Sequence, residues 1–391
     1  MIAAAFHLAR CYVARHRAQS LLLAAALALV VALPLCLKVL AHAVEKVMRT
    51  RAQSTPLLLG PRGSALDLML KALYFKRQAL PELSAQHLRE IRATALAEAI
   101  PLDARFHAQG APIIGTQLEY FAFRHLQVAE GRMITRLGDC VLGARVARER
   151  GLAPGGSLFS SQEQVFDMAG VYPLKMRVTG VLAPSGTADD DAVFVDLKTA
   201  WLISGAAHGH DDVAAQADTV LKQETANTVA NASVRMYHEV TDKNLNTFHF
   251  HGAEDSYPLS AILVLPRDAK AEALLAGRYL KDSLPVQLIR PRDVFESLMS
   301  TLFQVERLVF IVLGVTLTAA LAISALVFAL SFRLRSREFR TLSDLGISPA
   351  ALRLTRALEI TLITTTAVLL ALLLTWAVQS QAETWVRWLL G

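Results

Sequence analysis

Five of the eleven histidines fall between positions 208 and 251. Four of them form two pairs with a spacing of two. His208-Gly209-His210 is followed by Asp211-Asp212, and His249-Phe250-His251 by Glu254-Asp255. Alternate residues of a strand share one face, so each pair can offer two imidazoles to one ion. Neutral imidazole with a nearby carboxylate suits zinc or copper. Solvent-facing histidines in polar loops would give the same pattern, and pairs in different loops need not meet. His208, His210, His249 and His251 are therefore the candidate metal ligands, for an ion that is cargo, sensor or structural clip.

No other chemistry stands out. There is no glycine-rich run ending in Gly-Lys-Ser/Thr, so the chain has no phosphate loop of its own. A Gly-x-Ser-x-Gly elbow and a His-Glu-x-x-His zinc helix are both missing. Asp189-Asp190-Asp191, after Ser185-Gly186-Thr187, reads as a solvated acidic loop. No catalytic residue is expected. The formal net charge is +6, but no basic stripe with interleaved aromatics points to nucleic acid.

The elements that must position any site include membrane spans. The 391 residues are 53% hydrophobic and 19% charged, against about a quarter charged in ordinary soluble proteins. The apolar excess is concentrated in three runs: Gln19 to Leu37, Leu308 to Phe332 and Ile360 to Ala382. Each reaches or approaches the roughly 20 residues that cross a bilayer. The first is longer than a signal-peptide core of roughly 7–15 residues and reads as a retained anchor despite the Ala41-His42-Ala43 sequence behind it. Arg10, Arg15 and Arg17 precede it. Arg333, Arg335, Arg337, Arg340, Arg353 and Arg356 lie between the second and third runs. Both segments should be cytoplasmic, which places the long intervening segment outside. The spans hold no ionisable residue between their flanking charges, unlike an ion pathway. Cys11 and Cys36 belong to the anchor region and Cys140 is alone in the outer segment, so no internal disulfide framework is expected there.

The expected division is 1–18 as a surface amphipathic helix, 19–44 as the first span and 45–302 as the outer domain. Then come 303–332 as the second span, 333–357 as a cytoplasmic connection, 358–380 as the third span and 381–391 as a tail. In the outer domain, Ser64 to Phe75 and Ser84 to Ala99 read as capped helices, and Val141 to Arg150 as a helix ended by Gly151. Thr55 to Pro61, Leu174 to Leu182 and Ala192 to Val195 read as strands. Ala261 to Leu265, Asp268 to Ala276 and Val286 to Ile289 read as strand, helix, strand, feeding a helix that enters the second span. The fold class is a three-span α-helical membrane protein with a large mixed α/β domain. One α/β unit is built from both ends of the outer segment and a more strand-rich unit is inserted between them.

The connection is the most informative segment. Phe339, Leu342 and Leu345 fall three apart on one side of a helix. Gly346 is placed to end it, and Ser348-Pro349 to cap and start the next. Here the sequence resembles the FtsX/MacB-type (type VII) ABC transporter permease family, on Arg337-Glu338, Leu342, Leu345-Gly346, Ser348 and Glu359. Val141-Leu142-Gly143, Val146-Ala147, Gly151-Leu152 and Pro154-Gly155 are similar to a helix and turn of MacB-like periplasmic domains. Val178-Thr179-Gly180-Val181-Leu182 and Val193-Phe194-Val195 look like the strands that follow.

The resemblance implies an inner-membrane permease subunit of a bacterial ABC transporter, with no enzyme site of its own. Its elbow, Arg337, Glu338, Phe339, Leu342, Leu345 and Gly346, would dock on a separate cytoplasmic ATPase. It implies ATP on that partner, a dimer, and a periplasmic binding protein or lipoprotein as a further partner; apart from the resemblance, zinc is the bound ion expected at the histidines. Members of the family usually have a fourth span. Trp385 to Leu390 is too short to be one, so three spans are expected. The alternative reading is a membrane-anchored periplasmic zinc-binding receptor or scaffold without ATP coupling.

Overall fold

The computed structural model describes residues 2–161, 173–209, 220–223, 228–230, 238–281 and 283–390. The chain divides into two compact units: Met1–Val47 with Ser297–Trp388, and Met48–Glu296 with the last residues.

The first unit is helical. Among the described residues, three helices are long and apolar enough to cross a membrane: Arg17–Gln53, Pro291–Leu334 and Pro349–Ala382 of a helix that runs to Leu390. The short helix Ile2–Arg15 precedes them. Ala24, Ala28 and Ala32 recur every four residues on the first long helix, and Ile363, Ala367 and Ala371 do so on the last. These faces pack together. Small side chains let helix backbones approach closely where no water is available to drive association. The second long helix keeps Leu308, Ile311, Val315 and Leu326 exposed, at 60–69%. That surface suits lipid or another apolar helix rather than water.

The second unit is built on one ten-stranded mixed sheet. Its order is Val286–Ile289, Leu57–Pro61, Ala261–Pro266, Ala97–Ala108, Ala111–Thr116, Val193–Asp196, Asp139–Leu142, Lys175–Leu182 and Val128–Gly131, with Ser157–Phe159 also on Lys175–Leu182. Two pairings are parallel, Ile113 beside Val193 and Asp139 beside Arg177. One core lies around Leu57, Leu59, Ile91, Leu259, Ile262 and Val264. Another lies around Ile113, Cys140, Leu142, Met176, Val193 and Val195. The inserted strand-rich segment is thus no separate unit. It continues the sheet begun by the two ends of the outer segment, because the twelve residues of Ala97–Ala108 pair with Ala261–Pro266 on one side and Ala111–Thr116 on the other.

Local chemistry explains most boundaries. Ser64 accepts a hydrogen bond from the Asp67 amide at 3.1 Å and starts the helix Ala65–Tyr74. Asp268 does the same for Ala269–Arg278 through the Ala271 amide at 2.7 Å. These bonds satisfy amides that the first helical turn leaves open.

Two sequence expectations fail. The helix expected over Ser84 to Ala99 spans only Gln86–Ala93; Ala95 takes φ +52° and the chain turns into the strand from Ala97. Alanine-rich sequence suits a helix locally, but Ala97, Ala99 and Ile100 are buried by pairing in the sheet. Likewise Val141-Leu142 is strand, and the helix begins at Ala144. A short apolar run does not distinguish the two states until its neighbours are known.

Gly143 sits at that junction. A Cβ there would lie 2.3 Å from the Asp189 carbonyl oxygen and 2.5 Å from that of Asp190. Backbone atoms cannot yield as a flexible side chain does. Gly143→Ala should cost about 1–3 kcal/mol, the usual penalty of overpacking. Thermal unfolding of the variant checks it, and an unchanged midpoint would show that the loop carrying Asp189 gives way freely.

Candidate functional site

Three groups of residues can bear function: the elbow between the second and third long helices, a buried ion pair in the sheet domain, and a histidine face.

The elbow is a short helix, Ser336–Asp344, followed by a tight turn. The Gly346 amide donates to the Ser343 carbonyl at 3.0 Å and the Ile347 amide to the Leu342 carbonyl at 3.1 Å. This is the Schellman arrangement, which needs a left-handed residue after the helix. Gly346 supplies it with φ +90°. The Ser348 hydroxyl then accepts from the Ala351 amide at 3.3 Å, and Pro349 opens the last helix. Arg337, Glu338 and Leu345 are exposed, Leu345 by 75%, and Leu342 is half-buried. Phe339, expected as a knob for a partner, is 5% exposed and faces its own unit.

The residue that holds the elbow is Arg335, which the sequence reading took only as a topology charge. Its guanidinium donates to both Glu359 oxygens, at 3.1 and 2.8 Å, and lies 3.3 Å from Glu338. It also lies over the Tyr12 ring, 3.2 Å from the centroid, and 4.9 Å from that of Phe339. Arg356 also lies over the Phe339 ring, 4.2 Å from its centroid. Planar guanidinium suits both the bidentate and the stacked contact. The 24-residue separation of Arg335 and Glu359 leaves no local signal.

In the sheet domain, Arg51 is 5% exposed and donates to both oxygens of Asp189, at 2.5 and 2.9 Å, and to the Tyr120 hydroxyl at 2.9 Å. That hydroxyl donates to Asp189 at 2.7 Å. Phe75 lies under the guanidinium, and Phe121 and Phe194 pack against Tyr120. Asp190 accepts from the Ser185 and Gly186 amides, both at 2.8 Å. Asp191 lies 3.1 Å from Arg145.

The acidic triplet is therefore not a solvated loop: Asp189 and Asp190 are buried. Burial alone would raise the Asp189 pKa. Arg51 and the two hydrogen bonds overcome it and hold the carboxyl down at about 2. Asp191 goes the other way, pushed up to about 6 by burial, with Arg145 opposing. Cys140 is fully buried and burial pushes its thiol up to about 12, so it is not a reactive cysteine.

The histidine face comes from two three-residue strands, Ala207–Gly209 and Phe248–Phe250, paired antiparallel with His208 opposite His249. The His251 amide extends the ladder to the Ala206 carbonyl at 3.0 Å. His208, His249 and His251 thus fall on one face, and their ring centroids lie 4.6–4.9 Å apart. One nitrogen from each ring lies within 4.8 Å of the others. His249 Nδ1 lies 3.0 Å from the Thr247 carbonyl. His210 falls outside the described residues, as do Asp211 and Asp212. Asp255 is engaged by Arg89 at 2.5 Å.

Three membrane-length helices and a mixed-sheet domain inserted between the first and second define the class: a membrane protein with one large domain outside the bilayer. Residues 20–234, more than half the chain, match the sequence profile of the MacB-like periplasmic core domain, and the chain belongs to that family. It is an inner-membrane protein of the type VII ABC transporter permeases, with its sheet domain in the periplasm. The chain is similar to the periplasmic region of MacB from Actinobacillus actinomycetemcomitans, with a TM-score of 0.36 and 10% identity over 64% of this chain and 97% of that one. It is also similar to the extracellular domain of the noncanonic ABC-type transporter YknZ from Gram-positive bacteria, with a TM-score of 0.32 and 11% identity over 60% and 98%. No curated protein sequence matches it.

Proposed function

We propose that this chain is the transmembrane subunit of a type VII ABC transporter, and that it turns ATP hydrolysis on a separate cytoplasmic ATPase into movement of its periplasmic domain. The elbow carries this reading. A helix ended by a Schellman turn and anchored through Arg335 to Glu359 is a fixed feature, and it presents Leu345, Arg337 and Glu338 outward. An apolar knob with a flanking charge of each sign suits a groove on a folded partner better than lipid.

The subunit works as a dimer, with the exposed face of Pro291–Leu334 toward its copy or the lipid. Arg17–Gln53 contributes residues to both units of the chain, so movement of that helix reaches the domain covalently. The cargo is periplasmic or membrane-borne, and a periplasmic binding protein or lipoprotein is the further partner. The chain catalyses nothing itself. Reconstitution with the ATPase in liposomes tests this: ATP turnover should rise on adding the permease, and equal turnover with and without it would refute coupling.

A second reading, a zinc-binding receptor or scaffold without ATP coupling, is favoured by one observation, the convergence of His208, His249 and His251. Stoichiometric zinc in a protein that stimulates no ATPase would support it.

A further inference from the structure

We propose that His208, His249 and His251 form a zinc site with three imidazole ligands on the surface of the periplasmic domain, its fourth position filled by no described residue. Such a site is independent of ATP coupling.

Three neutral imidazoles with converging nitrogens are a tetrahedral zinc set short of one ligand. Here the convergence is a product of strand register. His208 faces His249 directly across the ladder, and His251 lies diagonally, on the same face, two residues further along its strand. Nitrogens within 4.8 Å of one another need only small side-chain rotations to reach a common ion at about 2.0–2.1 Å.

The contact of His249 with the Thr247 carbonyl sets the tautomer. Nδ1 carries the proton and donates at 3.0 Å, so Nε2 is the nitrogen with the lone pair that a metal would take. Metal-bound histidines usually have such an outer partner.

The surroundings decide what kind of site this is. His249 and His251 are exposed and His208 is half-buried, so the ion would face solvent. Among the described residues, the group holds three donors and no carboxylate. Structural zinc is normally closed by four protein ligands, whereas sites that keep a water exchange it for another donor. No described residue fills the fourth position, so a donor from another molecule can take the place of water there.

The test uses the full chain in detergent, stripped with a chelator. Titration with zinc should show one tight site per chain, and X-ray absorption should show nitrogen neighbours at about 2.0–2.1 Å with imidazole scattering. Single substitutions H208A, H249A and H251A should each weaken zinc by more than about 100-fold, beyond the roughly 10–100-fold that loss of an outer partner alone costs. Because two of these rings are exposed, the folded signal in circular dichroism should stay unchanged.

H251C exchanges one imidazole for a thiolate and should give the cobalt-loaded protein a thiolate charge-transfer band. Azide added to the cobalt-loaded wild type should shift its visible spectrum by entering the fourth position. Zinc retained undiminished by the triple alanine variant, or no tight zinc at all, would overturn the site. A cobalt spectrum unmoved by azide would overturn the open position.

Discussion

Replacing Asp189 by alanine is expected to destabilise the periplasmic domain by about 3–5 kcal/mol, the cost of stranding one member of a buried ion pair. Arg51 is 5% exposed and both of its terminal nitrogens point at Asp189 or Tyr120. Without the carboxylate, a guanidinium that cannot lose its proton stays in the core beside Phe75. Hydrogen exchange on the full chain checks this. The slowest amides of Ile113–Thr116 and Val193–Asp196 should exchange faster by the factor that corresponds to this energy, roughly 100-fold or more. Unchanged protection would mean that water reaches the pair. The conservative change Asp189→Asn should also fail, because an amide keeps the size and loses the charge. Removing both charges with R51M/D189L should recover part of the loss, since an apolar pair of similar volume can replace a buried ion pair.

The same pair sets an acid limit. The folded pKa of Asp189 lies at about 2, below its ordinary value of 3.8. Its contribution to stability is therefore complete above about pH 4, and is lost as the pH falls through 4 toward 2. Asp191 acts in the opposite sense. Its folded pKa lies at about 6, so stability from this group declines as the pH rises from about 4 to 6. Acid unfolding of wild type and Asp189→Ala should converge only below about pH 2, where the carboxylate is protonated in both the folded and unfolded chains.

Gly346→Val should separate ATP hydrolysis from movement of the periplasmic domain. At φ +90° a β-branched residue is strained, by about 1–2 kcal/mol for the left-handed conformation alone. Nothing lies within 4 Å of the added Cβ, so the effect is one of backbone conformation and not of crowding. The turn would be populated about 5–30-fold less, and its two amide bonds, from Gly346 and Ile347, would be lost together. Stimulated turnover in liposomes should fall by a similar factor. Gly346→Asn is the control, because asparagine tolerates the left-handed region, and it should keep most of the stimulation. Equal activity of the valine and asparagine variants would show that the turn does not carry the coupling.

The elbow was readable because its chemistry is local. A glycine, a serine and a proline lie within four residues, and each performs in the structure the helix-ending or helix-starting role its type suggests. The spans were readable for the same reason, as length and apolarity belong to one segment. Arg51 and Asp189 are 138 residues apart in the chain and only the folded sheet brings them together. Three adjacent carboxylates looked like a solvated loop because burial of charge requires a partner, and the sequence does not display one. The histidine pairs were half visible. The spacing of two put His249 and His251 on one face, but the pairing of Ala207–Gly209 with Phe248–Phe250, which adds His208, is set by tertiary register. Ala97 and Val141 were misread because short apolar segments fit helix and strand equally until the sheet claims them.

The proposed coupling requires that the elbow meet an ATP-hydrolysing subunit on the cytoplasmic side. Leu345, 75% exposed at the tip of the turn, is the position at which to test it. A photo-crosslinker attached at Leu345→Cys, in membranes of intact cells, should form a covalent adduct whose second member carries a phosphate-loop motif. The adduct should disappear when Gly346 is also changed to Val. Modification of the same cysteine by a membrane-impermeant reagent applied from the periplasm, with no such adduct, would contradict the claim.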